Sequence, residues 1–281
     1  MSPPSYAYPV SPYANLTRLK VLEVSPNSRV FIMGDVHGCL KEMNALLSQV
    51  QFEAAKDVLI LTGDLVARGE DPVGVIRRAQ EIGAYCVRGN HDDKAIRTKL
   101  YLDQHGLEAM SDANELIPEG SVADPLKFGN RHLDVAKALG PQEFDYLMGC
   151  PLILDIPNLN ARVVHGGLDP AIPNLVDNDP WSVMNMRSIM QENNQPSKKK
   201  MKELKNTDAK HWAEVYRASP LAHNNATVYY GHDASLGVQV HGKTVGLDSG
   251  CVYGRKLTTM EVHSQKLFQV DCEARKKDEE D

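Results

Sequence analysis

No stretch of this chain is apolar over the roughly 18–20 residues that a membrane-crossing helix needs. Residues 1–20, MSPPSYAYPVSPYANLTRLK, also lack the apolar core of a secretory leader. Neither a membrane span nor secretion is therefore expected. Basic residues are in the minority, with 31 Lys and Arg against 37 Asp and Glu and a formal net charge of −6. Chain-wide attraction to nucleic acid or to an anionic membrane is not expected, and no nucleic-acid motif is present. Any anionic substrate must be met by local cations or by metal. Cysteine is sparse: Cys39, Cys86, Cys150, Cys251 and Cys272 form no CxxC pair and no framework spacing. An odd number in a chain of 281 residues points to buried thiols, Cys251 among them, and to a reducing compartment such as the cytoplasm. No internal repeat is evident, and the sequence names no protein partner.

What is present is alternation. RVFIM (29–33), VLILT (58–62) and AYCVRG (84–89) are short apolar runs, each followed by a Gly-bearing turn and then by apolar residues at helical spacing. Strand, loop and helix three times over predict a βαβαβ unit with a mostly parallel sheet, hence an α/β fold. Residues 92–150 read mostly as helices. Strands resume at LILDI (152–156), RVVHG (162–166) and TVYYG (227–231), and 168–226 reads as a long polar connection. Residues 1–25 are expected to be a Pro- and Tyr-rich extended arm, 26–270 the folded domain and 271–281 a charged tail.

Each apolar run ends in glycine plus a side chain able to hold a metal. Asp35 and His37 follow the first, Asp64 the second, Asn90 and His91 the third, and His165 and His232 end two later strands. Ligands of α/β sheets gather beyond the carboxyl ends of the strands, where such loops converge. A single Asp there is more often a turn or helix cap, but five Gly-flanked sites at successive strand ends are not explained that way. Carboxylates, imidazoles and an amide oxygen form a mixed N/O set suited to two divalent transition metals, and Asp64 has two oxygens with which to bridge them. Two such ions about 3.5–4 Å apart acidify a shared water and clamp the oxygens of an in-line displacement.

GDVHG (34–38), GDLVARG (63–69), GNHD (89–92), HGG (165–167) and GH (231–232) resemble, in order, the signature of the calcineurin-like metallophosphoesterases. The match spans roughly residues 29–263, and GDLVARG, GHDASLG and GLDSGCVYGRKLT are similar to the wording of the ApaH-like branch. That branch includes symmetrical diadenosine tetraphosphatases and eukaryotic relatives acting on polyphosphate or capped nucleotides. The resemblance implies a sandwich of two mixed β-sheets flanked by helices, with a helical insert. It also implies two divalent ions (Mn, Zn, Fe or Co), one on Asp35, His37 and Asp64 and the other on Asp64, Asn90, His165 and His232. His91 would be the general acid, and Arg68 would bind phosphoryl oxygens. Arg187, in NMRSIM, is a candidate second phosphate clamp.

Ala67 departs from the phosphoprotein phosphatases of the superfamily, which carry GDxVDRG with an Asp that orients the catalytic histidine. Its loss favours leaving groups that need little protonation, so phosphoanhydrides are expected over phosphoserine. A Ser/Thr phosphatase is the rival enzyme, and an inactive binding module the rival from another class. SKKKMKELK (197–205) places five lysines near the expected site, either as a cationic lip for a polyanion or as a solvated loop. Trp181 and Trp212 read as core anchors, His241 and His263 as structural, and Asp248 as a support for the site.

Overall fold

The computed structural model describes residues 13, 15–110, 115–120, 122–220 and 226–273. Most of the residues expected in the arm's first half, and residues 274–281 of the charged tail, lie outside these. Along the chain, β1 (Leu19–Val21) precedes β2 (Val30–Met33), α1 (Leu40–Gln49), β3 (Val58–Leu61), α2 (Pro72–Glu81), β4 (Tyr85–Cys86) and α3 (Asn90–His105). Then come α4 (Leu133–Ala138), α5 (Pro141–Met148), β5 (Ile153–Ile156), β6 (Ala161–Val163), α6 (Pro180–Asn185), β7 (Ser188–Met190), β8 (Gln195–Ser197), β9 (Lys210–His211) and α7 (Trp212–Ala218). The last strands are β10 (Thr227–Tyr230), β11 (Gln239–His241), β12 (Thr244–Gly246), β13 (Lys256–Glu261) and β14 (Lys266–Asp271).

Two mixed sheets stack on each other, in the orders β14-β13-β2-β3-β4 and β1-β5-β6-β10-β12-β11. The strands β2 and β3 are apolar throughout because both of their faces are covered. Phe31, Met33, Leu59 and Leu61 meet Met43, Leu46 and Val75 from the helices, whereas Val30, Ile32 and Ile60 meet Leu154, Val163 and Tyr229 of the facing sheet. Each such side chain contributes about 1.5–3 kcal/mol when fully buried. The outer face of the six-stranded sheet packs Ile153, Val228 and Tyr230 against Trp212 and Tyr216 of α7 and Val183 and Met184 of α6. Trp212 is thus a core anchor.

Three features differ from the sequence reading. The connection 168–226 is not featureless: it carries α6, α7 and a third sheet in the order β8-β7-β9. Its strands are two or three residues long and include the polar QPS and KH, too short and too polar for alternation to show. Within residues 1–25, Leu19–Val21 adds a parallel edge strand beside β5. Finally, Cys86 pairs with Cys150 and Cys251 with Cys272, leaving Cys39 as a buried thiol. Cys251 is therefore a half-cystine and not a packing thiol, and the odd count no longer argues for a reducing compartment. Linear spacing could not reveal these pairs. Tertiary contacts such as the Arg88 N–H to Pro151 carbonyl bond (2.8 Å) bring the end of β4 beside the chain leaving α5.

Parallel pairing sets the position of the site. Because β2, β3 and β4 run parallel, their following loops leave one edge together. The same holds for β6, β10 and β12 in the other sheet. The helical insert closes over that edge, anchored by the buried Arg97 of α3. Its guanidinium binds Glu119 (2.6 Å), Asp93 (3.2 Å) and Asp124 (3.3 Å). Among the described residues no helix is long and apolar enough to cross a membrane.

Candidate metal centre and active site

The loops that leave these strands turn unusually sharply. His37, Asp64, Ala67, Arg68 and His232 all have positive φ, between 46° and 70°, a region that non-glycine residues seldom occupy. Five such residues in one site mark strain held by the surrounding packing. Two glycines make room. A Cβ at Gly63 (φ +92°) would sit 2.7 Å from the Gly89 nitrogen and 2.9 Å from His165 Nδ1. A Cβ at Gly231 would collide with Asp35 Oδ1.

Three imidazoles are held alike. His37 Nδ1 lies 3.0 Å from the Val66 carbonyl, His165 Nδ1 2.8 Å from the Thr62 carbonyl, and His232 Nε2 2.9 Å from the Asn185 carbonyl. A carbonyl only accepts, so each ring donates there, and its other nitrogen is the one that can offer a lone pair to a metal. Those nitrogens turn to the acids. Asp64 Oδ2 is 3.3 Å from His165 Nε2 and 3.5 Å from His37 Nε2, and Asn90 Oδ1 is 3.1 Å from His165 Nε2. Donor atoms of Asp64, His165 and His232 lie within 4.8 Å of one another, as do those of His37, Asp64 and His91. Asp35 Oδ2 is 4.0 Å from His37 Nε2, and its carboxylate accepts the His232 backbone N–H. All seven of these residues are buried.

The electrostatics follow from burial and crowding. Burial, with Asp248 and Asp64 nearby, pushes the Asp35 carboxyl well above its ordinary range. Burial alone would also raise Asp64, but His165, His91 and His37 outweigh it and hold that carboxyl well below the usual range. Burial drives His37, His91 and His232 down, whereas for His165 the neighbouring Asp64 more than offsets it. The site opens into a cavity of about 420 Å³. Arg68, Arg131, Arg187 and Arg255 line it together with Lys94, Lys198 and Lys200, against three acids, Asp64, Asp124 and Asp248. The deficit of positive charge in the whole chain is thus reversed locally.

The calcineurin-like phosphoesterase family model matches residues 28–246. The chain belongs to the calcineurin-like phosphoesterases. It is 30% identical to the symmetrical bis(5'-nucleosyl)-tetraphosphatase of Photorhabdus laumondii, over 85% of this chain and 95% of that one. It is 27% identical to the zinc-dependent endopolyphosphatase of Saccharomyces cerevisiae, over 96% and 89%. A crystal structure of a putative diadenosine tetraphosphatase superposes with a TM-score of 0.72 at 28% identity, covering 91% of this chain and 98% of that one.

As in other phosphoesterases of this family, the donor set fits a dinuclear divalent metal centre. Buried carboxylates and ring nitrogens with exposed lone pairs converge, and each of the three histidines is oriented by an outer hydrogen bond, the usual arrangement for metal-binding imidazoles. Arg68 reaches into the same space. Its Nη1 is 3.5 Å from His37 Nε2, and its guanidinium stacks 5.4 Å from the centre of the Tyr253 ring. Arg187 is fixed by two carbonyls, those of His232 (3.1 Å) and Lys198 (3.0 Å), and lines the cavity. The second of these bonds ties the lysine segment to the site. Lys198 and Lys200 face the cavity; Lys199 does not.

Among the lining residues that went unrecognised in the sequence are Lys94, Arg131, His132 and Arg255. Lys94 lies one turn beyond His91, a helical spacing that could have suggested it. Arg131 and His132 sit in the insert, whose approach to the site depends on long-range contacts.

Proposed function

We propose that this phosphoesterase is a metal-dependent hydrolase of phosphoanhydride bonds, in inorganic polyphosphate, dinucleoside polyphosphates or related nucleotides. One observation carries the reading: Asp64 Oδ2 lies between His37 and His165 beneath a cavity walled by cations. Asp35, His37 and Asp64 would hold one divalent ion, and Asp64, Asn90, His165 and His232 the other. When bound, such ions neutralise charge developing on phosphorus and acidify the attacking water.

The remaining work falls to the chain's own residues. Arg68 and Arg187 bind phosphoryl oxygens; both line the cavity and are braced, by Tyr253 and by backbone carbonyls respectively. His91 holds a proton for the leaving oxygen. Lys198 and Lys200 bind phosphates further along a chain, outside the reacting group. Polyphosphate and nucleosyl tetraphosphates, named for the two relatives, share the feature this wall suits, several adjacent phosphates. Ala67 is buried and brings no carboxylate at the position where the phosphoprotein phosphatases of the superfamily carry their orienting Asp, which supports the same preference over phosphoserine.

A substrate panel with metal-replete protein tests the reading: polyphosphate, diadenosine tetraphosphate, capped nucleotide, phosphopeptide and p-nitrophenyl phosphate. The expected result is metal-dependent cleavage with kcat/KM for an anhydride substrate at least about 100-fold above that for phosphopeptide, a difference of about 2.7 kcal/mol. Preference for phosphopeptide, or no turnover with any divalent metal, contradicts it.

A further inference from the structure

His91 is built differently from the other site histidines. Where His37, His165 and His232 each rest on a backbone carbonyl, His91 Nδ1 lies 2.9 Å from another side chain, His132 Nε2. His132 is buried, sits at the start of α4 in the insert, and is 41 residues away in sequence. The hydrogen-bond network behind it has a direction. Asn130 Nδ2 donates to the Lys127 carbonyl at 2.6 Å, so its Oδ1 faces His132. That oxygen accepts the His132 backbone N–H (2.9 Å) and lies 3.2 Å from His132 Nδ1. An amide oxygen only accepts, so His132 Nδ1 carries the ring proton. Burial keeps this imidazole neutral, pushing it down to about 3. Its Nε2 is then an acceptor, and His91 Nδ1 must be the donor. His91 Nε2 is left for the cavity.

We infer that His132, oriented by Asn130, is the positioning residue of His91: it fixes the ring plane and the tautomer that present Nε2 to the substrate's leaving oxygen. The inference rests on the phosphohydrolase reading above and adds a residue outside the metal-ligand motifs. A neutral acceptor suffices for this task. In the acid step the His91 ring starts as the imidazolium: its Nε2 proton goes to the leaving oxygen as the bond from that oxygen to phosphorus breaks, Nδ1–H stays on His132, and the ring ends neutral, so no proton passes to His132. The position of the partner also has a consequence. Asn130 and His132 belong to the insert, and Asn130 is tied to α3 through Thr98 (3.3 Å), so the acid is correctly held only when the insert is docked.

The test is a double-mutant cycle on metal-replete protein with two phosphomonoesters, one with a poor leaving group (phenyl phosphate) and one with a good one (p-nitrophenyl phosphate). His132→Ala should lower kcat for the poor leaving group about tenfold, a fraction of the 10²–10⁴ usual for general acids, with KM nearly constant. It should add no further loss when His91 is already alanine. His132→Gln, which offers an amide oxygen near the lost Nε2, should recover part of the rate. Independently of any variant, long-range ¹H–¹⁵N spectra of the wild-type protein should show both His91 and His132 protonated on Nδ1. Equal losses on both substrates, additive losses in the cycle, or a proton on His132 Nε2 would overturn the inference while leaving the phosphohydrolase reading intact. Inactivity of every protein, wild type included, would overturn both.

Discussion

The backbone N–H of His91 donates to Asp64 Oδ1 at 2.8 Å, while the other oxygen of the same carboxylate faces His37 and His165. The proposed acid and the proposed metal bridge are therefore locked together by one bond. Asp92 reinforces it: its carboxylate accepts the N–H groups of Gly89, Leu65 and Val66, pinning the start of α3 to the loop after β3. Strain at Asp64 (φ 52°) is held by these contacts.

Asp64→Asn separates the two duties. The amide oxygen can still accept the His91 N–H, so the fold should survive with a circular dichroism spectrum like that of the wild type. The bridge loses its charge, so turnover should fall by on the order of 10³-fold. Steady-state kinetics beside the spectrum decide. Retained turnover would remove Asp64 from the centre.

Ala67 offers a gain-of-contact test. Its φ of 69° is one that Asp tolerates better than Ala, so Ala67→Asp adds no backbone strain. His91→Ala should hurt phosphomonoesters with poor leaving groups more than anhydrides. Introducing the carboxylate in a protein with His91 intact should narrow the wild-type gap between the two classes. Rates on phenyl phosphate and polyphosphate report it, and equal losses on both from His91→Ala would contradict the assignment.

The lysine segment makes a position-specific prediction. Lys198→Ala with Lys200→Ala should raise KM for long-chain polyphosphate about tenfold and flatten its salt dependence, leaving kcat for p-nitrophenyl phosphate unchanged. Lys199→Ala, whose side chain lies off the cavity, should do neither. An equal effect from all three would reduce the segment to diffuse charge.

Burial of His132 has a pH consequence. In the unfolded chain its imidazole takes up a proton near pH 6.5, while in the fold it does so only near 3. Its stability contribution is therefore intact above pH 6.5 and is lost as pH falls toward 3, by about 1.4 kcal/mol per pH unit. Between pH 7 and pH 5, urea unfolding of metal-free wild type should lose about 2 kcal/mol relative to His132→Gln. Parallel pH profiles would mean that His132 titrates normally.

The strand tips were legible because the metal-competent residues sit at or near a glycine where apolar runs end, and parallel pairing turns that linear regularity into one edge. Asp35, His37, Asp64, Asn90, His165 and His232 all meet there. His132 was not legible, since its place depends on Arg97 docking the insert through Glu119 and Asp124, contacts that carry no periodicity. The disulfides were hidden for the same reason: Cys86 and Cys150 are 64 residues apart and are neighbours only once β4 and α5 have packed. The lysines were visible as charge, but that Lys198 and Lys200 rather than Lys199 face the cavity follows from the backbone path that Arg187 fixes.

The central claim, that this site works by holding a pair of divalent ions on Asp64 and its neighbours, is tested most directly by titrating metal into chelator-stripped protein. Binding is followed calorimetrically and polyphosphate hydrolysis in parallel. The account predicts two equivalents of metal per chain, activity that saturates with the second, and loss of at least one equivalent in Asp64→Asn. Full hydrolysis by the stripped protein, or two equivalents still bound by Asp64→Asn, would contradict it.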